Sequence, residues 1–225
     1  MSHETNHSLW SDVDNYLQTS LQIHVDELNW VIESNAQQDL PAIDVSPLQG
    51  KFLAVMIRSC RATRVLEIGT LGGYSSIWMA RALPENGRLV TIEFEKLHAQ
   101  VAARHLEQAG VADKVDLRQG SALDVLVDLA NENLPPFEFV FVDADKTQYA
   151  EYFERAMKLV QSGSTIVFDN TVRQGDVCDL ASDDPYVQGV HQLHSALANN
   201  PAVDCSAVQT VGAKGHDGFT IAHVL

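Results

Sequence analysis

The chain has 225 residues, of which 45% are hydrophobic, and its formal net charge is −15. That length suits an α/β domain with an added helical segment, so we expect one domain over residues 1–225, with an N-terminal helical segment over residues 1–40. No cluster of lysine and arginine side chains interrupts the acidic composition. Nucleic acid and anionic membrane surfaces are therefore unfavourable partners.

The cysteines and the N-terminus indicate a reducing compartment. Cys60, Cys178 and Cys205 are spaced neither as zinc ligands nor as a C-x-x-C redox pair, so we expect free thiols. The first residues have neither the basic nor the apolar region of a signal peptide, and no stretch reaches transmembrane length. The sequence therefore predicts a cytoplasmic protein with no membrane partner.

The N-terminal segment shows helical periodicity before any strand begins. Its apolar residues recur on one narrow face at Leu9, Val13, Tyr16, Leu17, Leu21, Val25 and Leu28. A helix over residues 9–31 could cap the active site, contact a second subunit or cover the sheet, and the sequence leaves these roles open. Polar residues 34–39 indicate a loop, and the pair Ser46-Pro47 indicates the start of a helix that ends near Cys60.

The rest of the chain alternates between strand and helix. A strand containing Val65 is followed by strand candidates at residues 88–93, 115–119, 137–143 and 164–169. Helical patterns separate them at residues 74–83, 95–109, 121–131 and 147–160. Because connections between parallel strands are right-handed, this alternation predicts a parallel sheet with helices on both sides. After a helix near 184–199, strands at 203–211 and 218–224 predict an antiparallel hairpin at the edge.

A glycine-rich segment follows the first strand. The aliphatic run ends in Gly69, Gly72 and Gly73, which permit a tight turn and close approach of a ligand to the backbone. Ligands of such sheets bind beyond the carboxyl ends of the strands, so this loop is a candidate nucleoside site. The dinucleotide fingerprint needs glycine at position 71, where this chain has Leu71, which disfavours NAD. A strand-to-helix turn without a ligand stays open on this motif alone.

Two glutamates accompany the glycine loop. Glu93 ends the second strand about 20 residues further on, where a carboxylate accepts hydrogen bonds from ribose hydroxyls. Glu67 lies inside an apolar strand, where an unpartnered carboxylate would cost on the order of several kcal/mol. We therefore expect Glu67 to have a partner, which is either backbone amides, a basic side chain or a ligand cation.

Acidic side chains also end the fourth and fifth strands. Asp143 ends the fourth strand, and Asp169 and Asn170 end the fifth, 26 residues later. Neighbouring strands would bring these three oxygen ligands together, which suits a hard divalent cation such as Mg²⁺, with Ca²⁺ or Mn²⁺ as alternatives. The competing interpretation is that both aspartates only cap the next elements. Lys146 would lie beside the cation, which makes a lysine a better proton acceptor.

Four segments together are similar to a known family. Residues 45–53, 65–75, 141–146 and 169–170 read VSPLQGKFL, VLEIGTLGGYS, FVDADK and DN. They resemble the cation-dependent O-methyltransferases of the caffeoyl-CoA and catechol type. The resemblance implies a Rossmann-like, seven-stranded α/β methyltransferase sheet, mostly parallel with an antiparallel C-terminal edge, plus N-terminal helices. It also implies S-adenosylmethionine, a divalent cation, a small-molecule phenolic acceptor and a homodimer.

The resemblance further implies roles for individual residues. The cofactor-binding set is Val45, Glu67, Gly69, Ser75, Glu93, Ala122 and Asp143. In this set Glu93 would hold the ribose, and the backbone of Ala122 would meet the adenine. Asp143, Asp169 and Asn170 would hold the metal, and Lys146 would be catalytic together with Asp143.

The implied reaction is methyl transfer to a vicinal dihydroxy phenol. A cation would lower the pKa of one phenol hydroxyl, Lys146 would accept its proton, and the phenolate would attack the sulfonium methyl group. The sequence leaves two alternatives open: a metal-independent small-molecule methyltransferase, and a cofactor-binding module without turnover. It does not identify the acceptor, whose selection we expect from the N-terminal segment and the loop over residues 173–185.

Overall fold

The computed structural model describes residues 3–23 and 27–225 of the chain. In this part, seven strands form one sheet: β1 (Arg64–Ile68), β2 (Arg88–Glu93), β3 (Val115–Gln119), β4 (Phe137–Val142), β5 (Val160–Phe168), β6 (Val203–Gly212) and β7 (Gly215–Val224). The α-helices described there are α1 (His3–Ser20), α2 (Asn29–Gln37), α3 (Pro47–Ser59), α4 (Tyr74–Ala82), α5 (Lys96–Gln108), α6 (Ala122–Asn131), α7 (Tyr149–Ala156) and α8 (Pro185–Ala198). None of these helices is both long enough and apolar enough to span a membrane.

The sheet has the strand order β3-β2-β1-β4-β5-β7-β6. The first five strands of that order are parallel, and β7 pairs antiparallel with both β5 and β6. The predicted fold, a mostly parallel seven-stranded sheet with an antiparallel C-terminal edge, is confirmed. Chain order reverses between β1 and β4, and ligands of open α/β sheets bind outside the carboxyl ends of the strands at such a point.

The central strands are buried on both faces of the sheet. In β1, Val65 packs into one apolar cluster with side chains of α3 and α4. The next residue, Leu66, packs into a second cluster with side chains of α6 and α7. Successive side chains of a strand point to opposite faces, so a strand covered by helices on both sides needs a nearly continuous apolar run. The apolar pattern of the sequence follows from this arrangement.

The predicted helix over residues 9–31 is wrong, because α1 ends at Ser20 and a separate helix begins at Asn29. Gln22 adopts a left-handed conformation with a φ of 51°, and the amide of Ile23 donates to the carbonyl of Gln18 at 2.9 Å. This is the hydrogen bond of a Schellman motif, which ends a helix. The predicted loop at 34–39 is also wrong over its first part, since α2 continues to Gln37. Val25 lies outside the described residues.

The first helix is attached to the last hairpin of the chain through a polar contact. Asp14 is buried, and its carboxylate accepts a 2.7 Å hydrogen bond from the amide of Ala213 in the turn between β6 and β7. Leu28 of the predicted apolar face is buried, but four of its other side chains are exposed, by 58% at Leu9, 46% at Val13, 68% at Tyr16 and 64% at Leu21. These side chains therefore do not cover the sheet. The homodimer implied by the resemblance stays a prediction, which the molecular mass in solution would test.

Candidate active site

The glycine loop lies at the point where chain order reverses between β1 and β4. Gly69 has a φ of 102°, and a Cβ atom on it would stand 2.0 Å from the carbonyl oxygen of Asp143. The amide of Asp143 in turn donates to the carbonyl of Ile68 at 2.8 Å. Only glycine allows the backbones that follow β1 and β4 to approach this closely. The tight turn predicted for Gly69 is present, and it brings the loop beside Asp143.

A cavity of about 640 Å³ opens beyond the carboxyl ends of β1, β2 and β4. Its volume falls in the range typical of small-molecule sites. Eight of the residues proposed from the sequence line it: Val45, Gly69, Ser75, Glu93, Ala122, Asp143, Lys146 and Asn170. Glu67 and Asp169 do not line it but are buried behind its wall. One cavity therefore brings together the candidate cofactor residues and the candidate catalytic lysine.

Glu93 holds the glycine loop from the end of β2. One carboxylate oxygen, Oε2, accepts hydrogen bonds from the amides of Thr70 and Leu71, at 3.2 and 2.8 Å. The other oxygen, Oε1, accepts from the amide of Glu95 at 2.9 Å and lies 3.5 Å from Nδ1 of His98. Because a carboxylate offers about four acceptor positions, the three amides leave one position on Oε1, and both Glu93 and His98 line the cavity. The same side chain thus shapes the loop and faces the space where a ribose would lie.

Glu67 has hydroxyl partners, which are not among the three kinds of partner expected from the sequence. The hydroxyls of Ser75 and Thr91 donate to its carboxylate at 2.5 and 2.6 Å, and the hydroxyl of Ser76 donates to it as well. Burial raises the pKa of Glu67 to about 7, although the three hydrogen bonds act in the opposite direction. Glu67 therefore reaches the cavity only through Ser75, which its carboxylate orients.

The raised pKa of Glu67 predicts how stability depends on pH. Between pH 4.5 and about 7, the unfolded chain has released this proton and the folded chain retains it, so stability decreases as pH rises through this window. In the Glu67→Gln variant this loss should disappear, because an amide does not titrate. Relative to wild type, we expect the variant to gain up to about 3 kcal/mol of unfolding free energy on going from about pH 5 to about pH 8.

Urea unfolding of both proteins at the two pH values measures this difference. The exposed Glu85→Gln substitution is the matched control, and its effect should be equal at both pH values. An equal effect of Glu67→Gln at both pH values would contradict the prediction.

Lys146 and Asp143 form an ion pair at the wall of the cavity. The Nζ atom of Lys146 lies 2.9 Å from Oδ1 of Asp143, and 13% and 19% of the two side chains are exposed. Lys146 also lies over the ring of Tyr149, with 5.6 Å from Nζ to the ring centroid. The short 3₁₀ helix Lys146–Gln148, which Asp145 caps, fixes the position of the lysine. The candidate catalytic lysine is thus held at the wall of the cavity.

Asp169 is buried next to Asp143 at the carboxyl end of β5. Its amide donates to the carbonyl of Val142 at 2.9 Å, which places the ends of β4 and β5 side by side. Its carboxylate accepts hydrogen bonds from the amide of Asn170 at 2.8 Å and from Nε2 of Gln49 at 2.6 Å. Burial, and next the negative charge of Asp143, raise the pKa of Asp169 to about 8.

The donor set fits a hard divalent cation. The carboxylates of Asp143 and Asp169 and the side-chain amide oxygen of Asn170 would be the oxygen ligands. A cation would also relieve the repulsion from Asp143, which, after burial, raises the pKa of Asp169. A carboxylate can accept more hydrogen bonds than either aspartate receives here. The bond from Gln49 to Asp169 therefore leaves a position on that carboxylate free for a metal ion. In the part of the chain that the structure describes, no group of three His, Cys, Asp or Glu residues is arranged to hold a metal. The set therefore depends on Asn170 and on substrate or water oxygens.

Other residues of the site were missed in the sequence. Gln49, which contacts Asp169, lies in the segment 45–53 whose resemblance was noted, but the residue type alone carried no signal. The hydroxyl of Tyr149 donates to the backbone carbonyl of Asp169 at 2.9 Å, so it helps to fix the backbone of this candidate metal ligand. Arg173, in the loop over residues 173–185 that was expected to select the acceptor, also lines the cavity, and so does Tyr186, which lies in the first turn of α8.

Comparison with known proteins gives the class of this fold. A family model described as O-methyltransferase matches residues 18–223. The structure is similar to that of the O-methyltransferase from Bacillus cereus in complex with SAH, with a TM-score of 0.95, 46% identity and coverage of 97% of this chain and 100% of that one. It is also similar to TomG from Streptomyces achromogenes in complex with SAM, with a TM-score of 0.93, 47% identity and coverage of 100% and 99%. The fold is that of the Rossmann-like methyltransferases.

A curated relative agrees with this class over the whole chain. The sequence is 45% identical to a catechol O-methyltransferase of Niastella koreensis over 219 residues. This alignment covers 97% of this chain and 99% of that protein. This chain therefore belongs to the O-methyltransferase family, and the two similar structures are complexes with SAH and SAM. The resemblance noted in four sequence segments is confirmed.

Proposed function

We propose that this enzyme transfers the methyl group of S-adenosylmethionine to one hydroxyl of a vicinal dihydroxy phenol and needs a divalent cation to do so. One observation carries the proposal: Lys146, Asp143 and Asn170 line the same cavity as the glycine loop. The name of the Niastella koreensis relative supports a catechol-like acceptor, and the SAH and SAM complexes of the two structural neighbours support the cofactor.

In this proposal the cofactor occupies the glycine-loop side of the cavity. Gly69 lets the cofactor approach the backbone, Ser75 and Val45 contact its amino acid end, and Glu93 accepts a hydrogen bond from the ribose. Ala122 begins α6 and lines the cavity where the adenine would lie. Glu67 does not contact the cofactor itself, because it is sealed from the cavity. It acts by orienting Ser75.

The acceptor lies on the other side of the cavity, at the ends of β4 and β5. Asp143, Asp169 and Asn170 would hold the cation there, and when bound a divalent cation acidifies a phenol hydroxyl. Lys146 in its neutral form accepts the proton of that hydroxyl at Nζ and becomes an ammonium group, and Asp143 holds the lysine in place. The phenolate oxygen then forms a bond to the methyl carbon while the carbon–sulfur bond breaks, and its electron pair returns to sulfur.

Charge also favours this reaction inside the cavity. The phenolate and the sulfonium neutralise each other as the methyl group moves, so a closed site of low polarity disfavours the separated charges more than the transition state. Positioning two reactants in line supplies much of the acceleration in such a reaction.

The test is methyl transfer from S-adenosylmethionine to catechol, followed by mass spectrometry, with Mg²⁺ and with excess EDTA. We expect a singly methylated product that forms with Mg²⁺ and is lost with EDTA. Product that persists in EDTA would contradict the metal site of Asp143, Asp169 and Asn170 and would support the metal-independent alternative. Cofactor binding without product on a panel of phenols would support a binding module.

A further inference from the structure

Arg173 lies on the acceptor side of the cavity, in a loop with a tightly determined backbone. It lines the cavity together with Lys146 and Asn170, four residues after Asp169. The φ angle of Arg173 is 54°, in the left-handed region that residues other than glycine rarely adopt. Oδ1 of Asp217 accepts hydrogen bonds from the amides of Val172 and Arg173, at 3.1 and 3.0 Å. These bonds hold the loop in this conformation and so fix where the arginine side chain begins.

The guanidinium of Arg173 has no anionic partner in the part of the chain that the structure describes. None of the ion pairs found there includes it. It stacks on the ring of Tyr186, with 5.6 Å from Cζ to the ring centroid, and its Nε atom is buried without a hydrogen-bond acceptor. An unsatisfied buried donor is costly, and native structures contain few of them. The arrangement therefore points to an acceptor that a ligand supplies.

The composition of the chain makes the lack of an anionic partner for Arg173 among the described residues more informative. The chain has 30 aspartate and glutamate residues against 15 lysines and arginines, so anionic partners are in excess. An arginine that stays unpaired in such a chain and faces a cavity is placed for a ligand. The net charge of −15 would also repel an anionic ligand at long range, so its recognition needs a local cation of this kind.

We propose that Arg173 selects methyl acceptors that carry a carboxylate in addition to the two hydroxyls. The inference rests on the proposed function and adds the chemical class of its acceptor, a catechol acid. The planar guanidinium fork matches the geometry of a carboxylate, and Nε on its edge has no hydrogen-bond acceptor among the described residues. With the hydroxyls beside Lys146, the carboxylate extends from the ring toward Arg173.

The test compares two ligands that differ only in the carboxylate, 3,4-dihydroxybenzoate and catechol. Each is titrated calorimetrically into the enzyme loaded with Mg²⁺ and S-adenosylhomocysteine, so that the carboxylate of the cofactor product is the same in every sample. We expect wild type to bind the acid at least about tenfold more tightly, the range of a hydrogen bond to a charged group. Arg173→Gln should remove that preference, and Arg173→Lys, which keeps the charge and loses the fork, should retain part of it.

The control is Arg81→Gln, which removes an exposed arginine paired with Glu27 outside the cavity and should keep the preference. Equal affinity of wild type for both ligands, or binding of neither, would overturn the proposal. Equal weakening of both ligands by Arg173→Gln would also overturn it, since the arginine would then serve the hydroxyls or the fold. Turnover of catechol by the same enzyme preparations, with S-adenosylmethionine in place of S-adenosylhomocysteine, tests the proposed function separately, because the binding preference is measured without turnover.

Discussion

Replacing Lys146 with methionine is expected to lower kcat by about 10²- to 10⁴-fold, the range found when a general base is removed. The Nζ atom lies on the cavity wall 2.9 Å from Oδ1 of Asp143, and methionine keeps the length of the side chain but offers no site for a proton. KM for the phenol should change much less than kcat, because cofactor and hydroxyl contacts elsewhere remain. Initial rates of methyl transfer over a range of phenol concentrations measure both constants.

A second variant separates the proton from the charge. Lys146→Arg keeps a cation beside Asp143, but a guanidinium stays protonated and cannot accept the hydroxyl proton. We expect its kcat to be nearly as low as that of Lys146→Met. Near-normal activity of the arginine variant would show that only the positive charge matters. Lys158→Met, which removes an exposed lysine after α7, is the control and should retain wild-type rates.

The second large effect is expected in the pH dependence of Mg²⁺ binding. The pKa of Asp169 is raised to about 8, first by burial and then by the charge of Asp143. Below that pH the carboxyl group carries a proton that a cation must displace, and above it the group is already ionised. Apparent Mg²⁺ affinity should therefore fall by up to about tenfold for each pH unit below 8 and level off above it.

The Asp169→Asn variant tests whether this carboxyl group is responsible. An amide carries no proton that a cation must displace, so the variant should bind Mg²⁺ at least about tenfold more weakly above pH 8 and lose most of the pH dependence. Calorimetric Mg²⁺ titrations across the pH range measure both effects, and the exposed Asp183→Asn substitution serves as control. Wild-type affinity that does not change with pH would rule out Asp169 as a ligand that must lose a proton.

The sheet was predictable because its signals are local. β2 is a mostly apolar run and β3 alternates between apolar and polar residues, and the structure has both strands at the predicted positions. The meeting of Asp143 with Asn170 followed from topology alone, since neighbouring parallel strands end at one edge of the sheet. A pattern within a few residues, together with the handedness rule, sufficed for both.

The remaining features depend on contacts between distant segments. The bond from Gln49 to Asp169 joins residues 120 positions apart, and no periodicity reports such a pair. Glu67 was expected to need a partner, but three hydroxyls from β2 and α4 satisfy it, and serine and threonine give little signal as ligands. The end of α1 also depends on a left-handed residue, Gln22, whose side chain has no special preference for that conformation.

The contact between Asp14 and Ala213 has a consequence for the order in which the protein forms during synthesis. The two residues are 199 positions apart, so α1 leaves the ribosome long before the hairpin of β6 and β7 on which it docks. Until that hairpin has emerged, Asp14 has no amide to accept from and α1 has no β6 to pack against. Contacts over such a separation form late, so α1 docks only after the residues up to the hairpin of β6 and β7 have been made.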